Sequence, residues 1–376
     1  MALTLLMVVN DPAFFLSHRL AVAEGARKIG YKVHVATMDG EAVRAIESKG
    51  FIHHVLPLSR SGRNPLSEFF GFLFLWRLLW RIRPDILHLV TIKPVIYGGI
   101  AARIAPVKGV VAAVSGLGYV FIAFGFKAAL LRGVVSYLYR IALGKENLSV
   151  IFQNPDDRKV FTGLRLLDVD KAVLIRGSGV DLDVYPYIPE PPSAVPVVCL
   201  AARLLRDKGV VEFAEAAAIL KERGVKADFQ LIGSVDSGNP ASVTEEEIAV
   251  WRDRGLVEVL GHRNDVASLF ANAHIVTLPS YREGLPKVLI EAAACGRAVV
   301  TTDVPGCRDA IDPNVTGLLV PARDAVALAD ALQSLIDDPA LRKRMGAAGR
   351  SLAEREFRLD KVVQRHLDIY SKLERT

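Results

Sequence analysis

Pro279-Ser-Tyr-Arg-Glu-Gly-Leu-Pro-Lys-Val-Leu-Ile-Glu-Ala-Ala-Ala-Cys-Gly-Arg-Ala-Val-Val-Thr301 is the stretch around which the rest of the chain organises. It is preceded by a short apolar run, Ile275–Leu278, and it closes on a second one, Ala298–Thr301. Between the two the pattern predicts a helix opening near Pro286, since proline suits a first helical turn. Strand, loop, helix and strand in that order form the repeating unit of a parallel sheet. The loop carries Glu283 and Gly284, and free backbone N–H groups at Gly284 and Leu285 make the helix N-terminus a ready anion site. Glu291 lies two helical turns beyond Glu283 in spacing, so both carboxylates can face one bound ligand.

The same alternation runs outward in both directions. Expected strands in the first half are Leu3–Val9, Lys32–Thr37, Ile52–Leu56, Asp85–Val90, Val110–Val114 and Leu148–Phe152, separated by helical stretches such as Ser17–Ile29 and Pro94–Ile104. The second half adds Val197–Ala202, Ala227–Ile232, Val257–Leu260 and Gly317–Val320. Fully apolar strands alternating with helices imply parallel sheets covered on both faces. Prolines at 186, 189, 191, 192 and 196 cannot sit inside sheet or helix, and the linker is expected there. The expected division is therefore residues 1–185, residues 186–350, and a C-terminal helical segment, 351–376, packing back toward the first domain. Two doubly wound domains would face a central cleft bounded by the carboxyl ends of their strands, where ligands of such folds bind.

A chain of 376 residues exceeds what one hydrophobic core usually serves, and with 51% apolar and 23% charged residues it has the composition of a folded protein. No internal repeat or low-complexity tract interrupts it. Its three cysteines, Cys199, Cys295 and Cys307, have no metal-ligand spacing, which suits a reducing compartment. Met1–Asn10 lacks a basic leader and a cleavage site, and reads as a buried first strand. The net charge of +6 is uneven: residues 1–190 carry 23 basic and 15 acidic side chains, and residues 191–376 carry 24 and 26. The first half is expected to meet something anionic: nucleic acid, a membrane surface or a phosphorylated substrate.

Glu283–x7–Glu291 with Gly-Leu-Pro after the first glutamate resembles the signature of the retaining GT-B glycosyltransferases, specifically the family 4 type. Leu200-Ala-Ala-Arg-Leu-Leu-Arg-Asp-Lys-Gly209, Gly261-His-Arg-Asn-Asp-Val266, Ile311–Val320 and Gly177-Ser-Gly-Val-Asp181 match further blocks of that family in order. The resemblance covers nearly the whole chain and implies a GT-B fold of two Rossmann-like domains. It also implies roles. Arg203 and Lys208 bind the donor diphosphate and offset charge on the departing nucleotide, typically the largest catalytic term. Glu283 holds a hydroxyl of the transferred sugar, with the Gly284 and Leu285 amides on sugar and phosphate. Glu291 binds the ribose, and His262 and Arg263 border the base. Catalytic weight thus falls on Arg203, Lys208 and Glu283, with no metal and no cofactor beyond the nucleotide-sugar substrate, UDP favoured. Singly, an arginine near a lysine on a turn is most often a solvated pair, and Glu291 an exposed helix residue; their joint occurrence at expected strand ends favours function. Cys295 and Cys307 read as packing residues.

In the first half, Phe14-Phe-Leu-Ser-His-Arg19, Thr91-Ile-Lys-Pro94 and Val114-Ser-Gly-Leu-Gly-Tyr119 resemble a bacterial subgroup that adds hexose or N-acetylhexosamine to undecaprenyl-diphosphate-linked sugars in lipopolysaccharide, O-antigen or capsule assembly. Many relatives carry a Gly-rich loop at the first strand-to-helix turn; Asn10–Arg19 here does not. His18, Arg19 and Lys93 are expected at strand carboxyl ends on the acceptor's diphosphate, Ser115 and Gly116 against its sugar, and Ser17 as a helix cap. Pro65–Arg83 is apolar nearly all round, Gly109–Phe126 reads as strand, turn and loop, and Ala128–Lys145 sets Arg132, Ser136 and Arg140 on one stripe. The first and last of these are expected to lie on an anionic membrane surface, peripheral on the inner face of the cytoplasmic membrane, without spanning it. The bland reading packs both helices on the sheet. Two alternatives compete: a nucleotide-sugar 2-epimerase of the same fold, and a non-enzymatic nucleotide- or nucleic-acid-binding protein. No finger, helix-turn-helix or aromatic RNA-binding signature supports nucleic acid as a partner, and oligomeric state is left open.

Overall fold

The computed structural model describes residues 2–57, 65–117, 125–236 and 238–375. The chain forms two compact units, Met1–Ser178 with Asp360–Thr376, and Gly179–Leu359.

The first unit holds β1 (Thr4–Val9), β2 (Lys32–Thr37), β3 (Ile52–Val55), β4 (Ile86–Val90), β5 (Gly109–Val114), β6 (Leu148–Phe152) and β7 (Ala172–Leu174). They pair in parallel in the order β3-β2-β1-β4-β5-β6-β7. Alternate residues feed two cores. Leu6, Val8, Leu87 and Leu89 pack beneath the helices Pro65–Ile82, Ile92–Ala101 and Phe126–Ala142. Leu5, Met7, Val9 and Val111 meet the opposite layer, where the last helix, Leu359–Glu374, lays down Val362, Leu367 and Tyr370. The second unit holds β8 (Val197–Ala201), β9 (Asp228–Ile232), β10 (Glu258–Gly261), β11 (Ile275–Leu278), β12 (Ala298–Thr302) and β13 (Gly317–Val320), in the order β10-β9-β8-β11-β12-β13. The strand order reverses between β1 and β4 and between β8 and β11, the switch points where open α/β sheets place ligands.

Two local expectations are corrected, and one strand was not foreseen. The proline-rich segment is not a free linker: the chain passes between units at Ser178/Gly179 and returns at Leu359/Asp360. Residues 186–196 are strapped to the second unit, with Arg342 Nε on Glu190 at 3.0 Å, Arg297 Nη2 on the Ile188 carbonyl at 2.6 Å and the His274 ring on the Pro191 carbonyl at 3.1 Å. Prolines cannot join a ladder, but the carbonyls beside them still accept hydrogen bonds. The first helix opens at Pro12, not Ser17: Asp11 accepts from the Ala13 and Phe14 amides, while the Ser17 hydroxyl bonds back to the Ala13 and Phe14 carbonyls from inside the helix. That helix ends at His18, and a second, Leu20–Lys28, follows. Finally, β7 is only three residues long at the sheet's rim and carries too little pattern to be read. Gly118 and Tyr119 of the Val114–Tyr119 motif lie outside the described residues.

Candidate active site

In the second unit the loops after β8 and β11, neighbours at the switch point, are knitted together by backbone. The Asp207 carbonyl accepts from the Tyr281 amide and the Ser280 hydroxyl, both at 2.9 Å. A Cβ on Gly209 would stand 2.2 Å from the Pro279 carbonyl oxygen, and its φ is +73°, so only glycine fits this close approach. This fixes Lys208, in a single 3-10 turn, against Glu283: Nζ to Oε1 is 2.5 Å, and the Ser280 hydroxyl donates to the same oxygen at 2.8 Å. Both side chains are largely buried. Burial alone would push the Lys208 amine down, but the Glu283 carboxylate holds it above the usual lysine range, so it stays charged through neutral pH. On the other side of the loop, a Cβ on Gly306 would meet the Glu283 carbonyl at 2.4 Å, and the Glu283 amide bonds the Pro305 carbonyl at 3.1 Å. Sequence reasoning missed Ser280 and the Pro305-Gly306 turn; a Pro-Gly pair just past a strand was the available signal.

Pro286 is the N-cap residue of the helix Lys287–Ala294, and Gly284 and Leu285 are buried just before it. Glu291 faces its own lysine, Lys287, at 3.1 Å, and hydrogen-bonds Tyr185, another residue not foreseen. Burial raises the Glu291 carboxyl above the 4.5 of an ordinary glutamate, against the pull of Lys287 and Tyr185. Arg203, half-exposed past the end of β8, reaches Asp236 at 3.4 Å, a long and solvent-exposed ion pair. His262 and Arg263 are exposed beyond β10, the outermost strand, with Arg263 chelated by Asp265 at 2.5 and 2.7 Å.

The first-unit residues are not assembled as expected. With the helix starting at Pro12, His18 and Arg19 lie at its far end, about 10 Å of helical rise from β1. His18 stacks on Phe14 with ring centroids 4.1 Å apart. Arg19 is buried at 2% exposure. Its Nη1 bonds the His18 carbonyl, and its charge lies close to His88, His366 and Tyr370 beneath the last helix; burial lowers its pKa to about 10. It is not at a strand end. Lys93 does follow β4, but its amine is engaged by Glu68 at 2.7 Å, whose other oxygen accepts from Tyr97 at 2.6 Å. Ser115 and Gly116 follow β5 directly, Gly116 with φ +118°.

Residues 4–154 match the family described as glycosyl transferase 4-like, and residues 188–352 match glycosyl transferases group 1. A Campylobacter jejuni N,N'-diacetylbacillosaminyl-diphospho-undecaprenol alpha-1,3-N-acetylgalactosaminyltransferase is 30% identical over 96% of this chain and 98% of its own. The chain belongs to the glycosyltransferase group 1 and 4-like family. The Staphylococcus aureus capsular polysaccharide biosynthesis glycosyltransferase CapM is 27% identical over 89% of this chain and 88% of its own. Sucrose-phosphate synthase from Thermosynechococcus elongatus superposes with TM-score 0.81 at 20% identity, covering 99% of both chains. Anabaena HepE in complex with UDP and glucose superposes with TM-score 0.77 at 18% identity, covering 98% of this chain and all of that one. The fold is GT-B, and the enzyme is a transferase; the epimerase and non-enzymatic alternatives are set aside.

Proposed function

We propose that this glycosyltransferase moves a hexose or N-acetylhexosamine, with retention of configuration, from a nucleotide sugar to a polyprenyl-diphosphate-linked sugar in cell-surface glycan assembly. The observation that carries the reading is the buried Lys208–Glu283 pair at the β8/β11 switch point, with Arg203 beside it. Lys208 and Arg203 bind the donor diphosphate and stabilise charge as the sugar C1–O bond breaks, without a metal. Glu283 orients a sugar hydroxyl; with one oxygen already held by both Lys208 and Ser280, it is poorly suited to act as a free nucleophile. The acceptor hydroxyl therefore attacks from the face the diphosphate leaves, and its proton passes to the departing phosphate oxygen. UDP is the favoured donor nucleotide, supported by the UDP complex of the structural relative; the lipid-linked acceptor is supported by the name of the Campylobacter relative. Incubating radiolabelled nucleotide sugars with a membrane lipid extract tests this, with label expected in one polyprenyl-linked product. Proton NMR of that product should show a small anomeric coupling; a large diaxial coupling in a gluco- or galacto-configured sugar would contradict retention.

Glu291 binds the ribose hydroxyls in this reading, as an ionised acceptor. Because burial raises its carboxyl, the donor KM should climb as pH falls through a value above 4.5, and Glu291→Gln should flatten that inflection. The sign excludes unfolding of this site as the cause. A carboxyl raised in the folded state contributes stability that is present at low pH and lost as pH rises through the folded value. A donor KM constant down to pH 4 would remove Glu291 from the ribose.

The first unit presents the acceptor and rests on the inner face of the membrane. Supporting this, Leu66, Phe69, Phe70 and Phe74 recur at helical spacing on the outward face of Pro65–Ile82, and Leu130, Leu131, Val134 and Tyr137 do so on Phe126–Ala142; all are exposed. The inward face of the former, Leu75, Leu78 and Leu79, is already buried in the core. Among the described residues no helix is long and apolar enough to cross a membrane.

A further inference from the structure

Among the described residues three arginines are shut away from solvent, and two of them are well supplied with acceptors. Arg297 donates to the carbonyls of Phe270, Ile188 and Ala271. Arg342 pairs with Glu190 and donates to the Leu335 and Ile336 carbonyls. Arg19, where the first helix gives way to Leu20–Lys28, has the His18 carbonyl on Nη1 at 2.9 Å and no partner on Nε, which is closed to water. No carboxylate acts on it among the described residues; the groups that exchange charge effects with it are Tyr370, His88 and His366. A buried cation with neither a counter-charge nor a full set of acceptors is strongly disfavoured unless something neutralises it.

The neighbours of Arg19 are short of partners too. His88 stands midway along β4, on the face that carries Ile86 and Val90, and His366 and Tyr370 approach it from the last helix. The two imidazoles lie with centroids 5.7 Å apart, and Tyr31 stands edge-on to Tyr370 at 6.0 Å. All four are buried, and His88 Nε2, His366 Nε2 and the Tyr31 hydroxyl have no hydrogen-bond partner. The proton positions follow from the partners these rings do have. Burial keeps the Tyr370 phenol protonated, so it donates to His88 Nδ1 at 2.5 Å and leaves that ring's proton on Nε2. His366 Nδ1 donates to the Val362 carbonyl at 2.8 Å, which leaves a lone pair on Nε2. Arg19 Nε and His88 Nε2 are therefore unused donors, and His366 Nε2 becomes a third on taking a proton.

Water would satisfy the donors but leave the charge, whereas an anion answers both. One fixed positive charge calls for a single negative one. We propose that Arg19, His88 and His366 hold a small monovalent inorganic anion such as chloride. His88 belongs to the sheet and His366 to the last helix, so the ion fastens that helix to the first unit. Its affinity depends on pH. Burial and the Arg19 charge hold His366 down to about 3, and the negative charge of a bound anion raises it, so the ion and a proton enter together. The other titratable groups around the ring are His88, Tyr370 and Tyr31, all neutral, and Arg19 is the fixed cation. The inference needs no particular sugar substrate and stands apart from the functional reading.

Melting the full chain in sodium chloride and in sodium gluconate, at equal ionic strength and pH, tests this. Wild type should melt a few degrees higher in chloride and approach a plateau as chloride rises, because only the folded protein holds the ion. The chloride affinity should increase as pH falls from 8 to 5, by up to about tenfold per pH unit, since binding takes up a proton at His366. Arg19→Met keeps the stem and removes the charge. It should melt alike in both salts and, in gluconate, no lower than wild type, since an uncompensated buried cation is gone. His366→Gln should keep a chloride effect and lose its pH dependence. If a variant does not fold, wild type still decides: a crystal grown with sodium bromide should show an anomalous peak in contact with Arg19 Nε and His88 Nε2. Identical wild-type melting in chloride and gluconate overturns the proposal. So does a chloride effect that survives in Arg19→Met or ignores pH in wild type, or bromide found only elsewhere; water alone then serves the cluster.

Discussion

Lys208→Ala should lower the turnover of transfer by about a hundredfold to a thousandfold at saturating donor, the usual consequence of deleting one group that stabilises developing charge in a site shielded from water. The loss should appear in kcat, because the diphosphate carries its greatest charge after the C1–O bond has begun to break. The structure adds a stability cost that sequence reasoning does not foresee. Lys208 and Glu283 shield each other at 2.5 Å, and removing the amine leaves Glu283 with the Ser280 hydroxyl alone on that oxygen. About 1–3 kcal/mol of destabilisation is expected from the weakened pairing. The double variant Lys208→Ala, Glu283→Gln should recover part of this stability and none of the turnover. A folded Lys208→Ala protein with wild-type turnover would remove the lysine from the chemistry.

Lys208 and Glu283 show what a sequence can and cannot reveal. They are 75 residues apart, and nothing in composition or periodicity joins them; only their block resemblance to a family did. The strands were legible because buried parallel strands are unbroken apolar runs, and β2, β6, β11 and β13 fall on their expected bounds. The short β7 was not, since three residues carry no period. At the first helix Ser17 reads as the cap, whereas Asp11 takes that role, with Pro12 next to it in the first turn. Misjudging that start carried His18 and Arg19 from the sheet edge to the far end of a helix. The unpaired nitrogens of Arg19, His88 and His366 were out of reach for a different reason: whether a buried group has a partner is a property of the folded neighbourhood, not of local pattern.

Phe69→Ser with Phe70→Ser should reduce partitioning of the enzyme onto anionic vesicles by roughly a hundredfold or more, taking about 1.5–3 kcal/mol for each large apolar side chain that leaves water. These rings are 55% and 63% exposed, so the fold gains little from them and melting should move by no more than a surface substitution, within about 0.5 kcal/mol. Leu130→Ser with Tyr137→Ser on the helix Phe126–Ala142 should act in the same direction. The basic residues that sequence reading singled out make a smaller contribution. Arg77 and Arg81 are exposed on the same outward face of Pro65–Ile82 as Leu66, Phe70 and Phe74, in its later turns on either side of the exposed Trp80, and Arg81 lies 3.2 Å from the His54 ring. Arg77→Glu with Arg81→Glu should therefore weaken binding by about 1 kcal/mol per charge removed, a loss that salt masks. The loss from Phe69 and Phe70 should persist at high salt, because burial of apolar surface is not screened. Transfer to a full-length polyprenyl acceptor should fall in all three double variants, and transfer to a short soluble analogue should change less. Vesicle sedimentation at two salt concentrations separates the two contributions. Wild-type protein that stays in the supernatant at low salt would show that these outward faces do not meet a membrane.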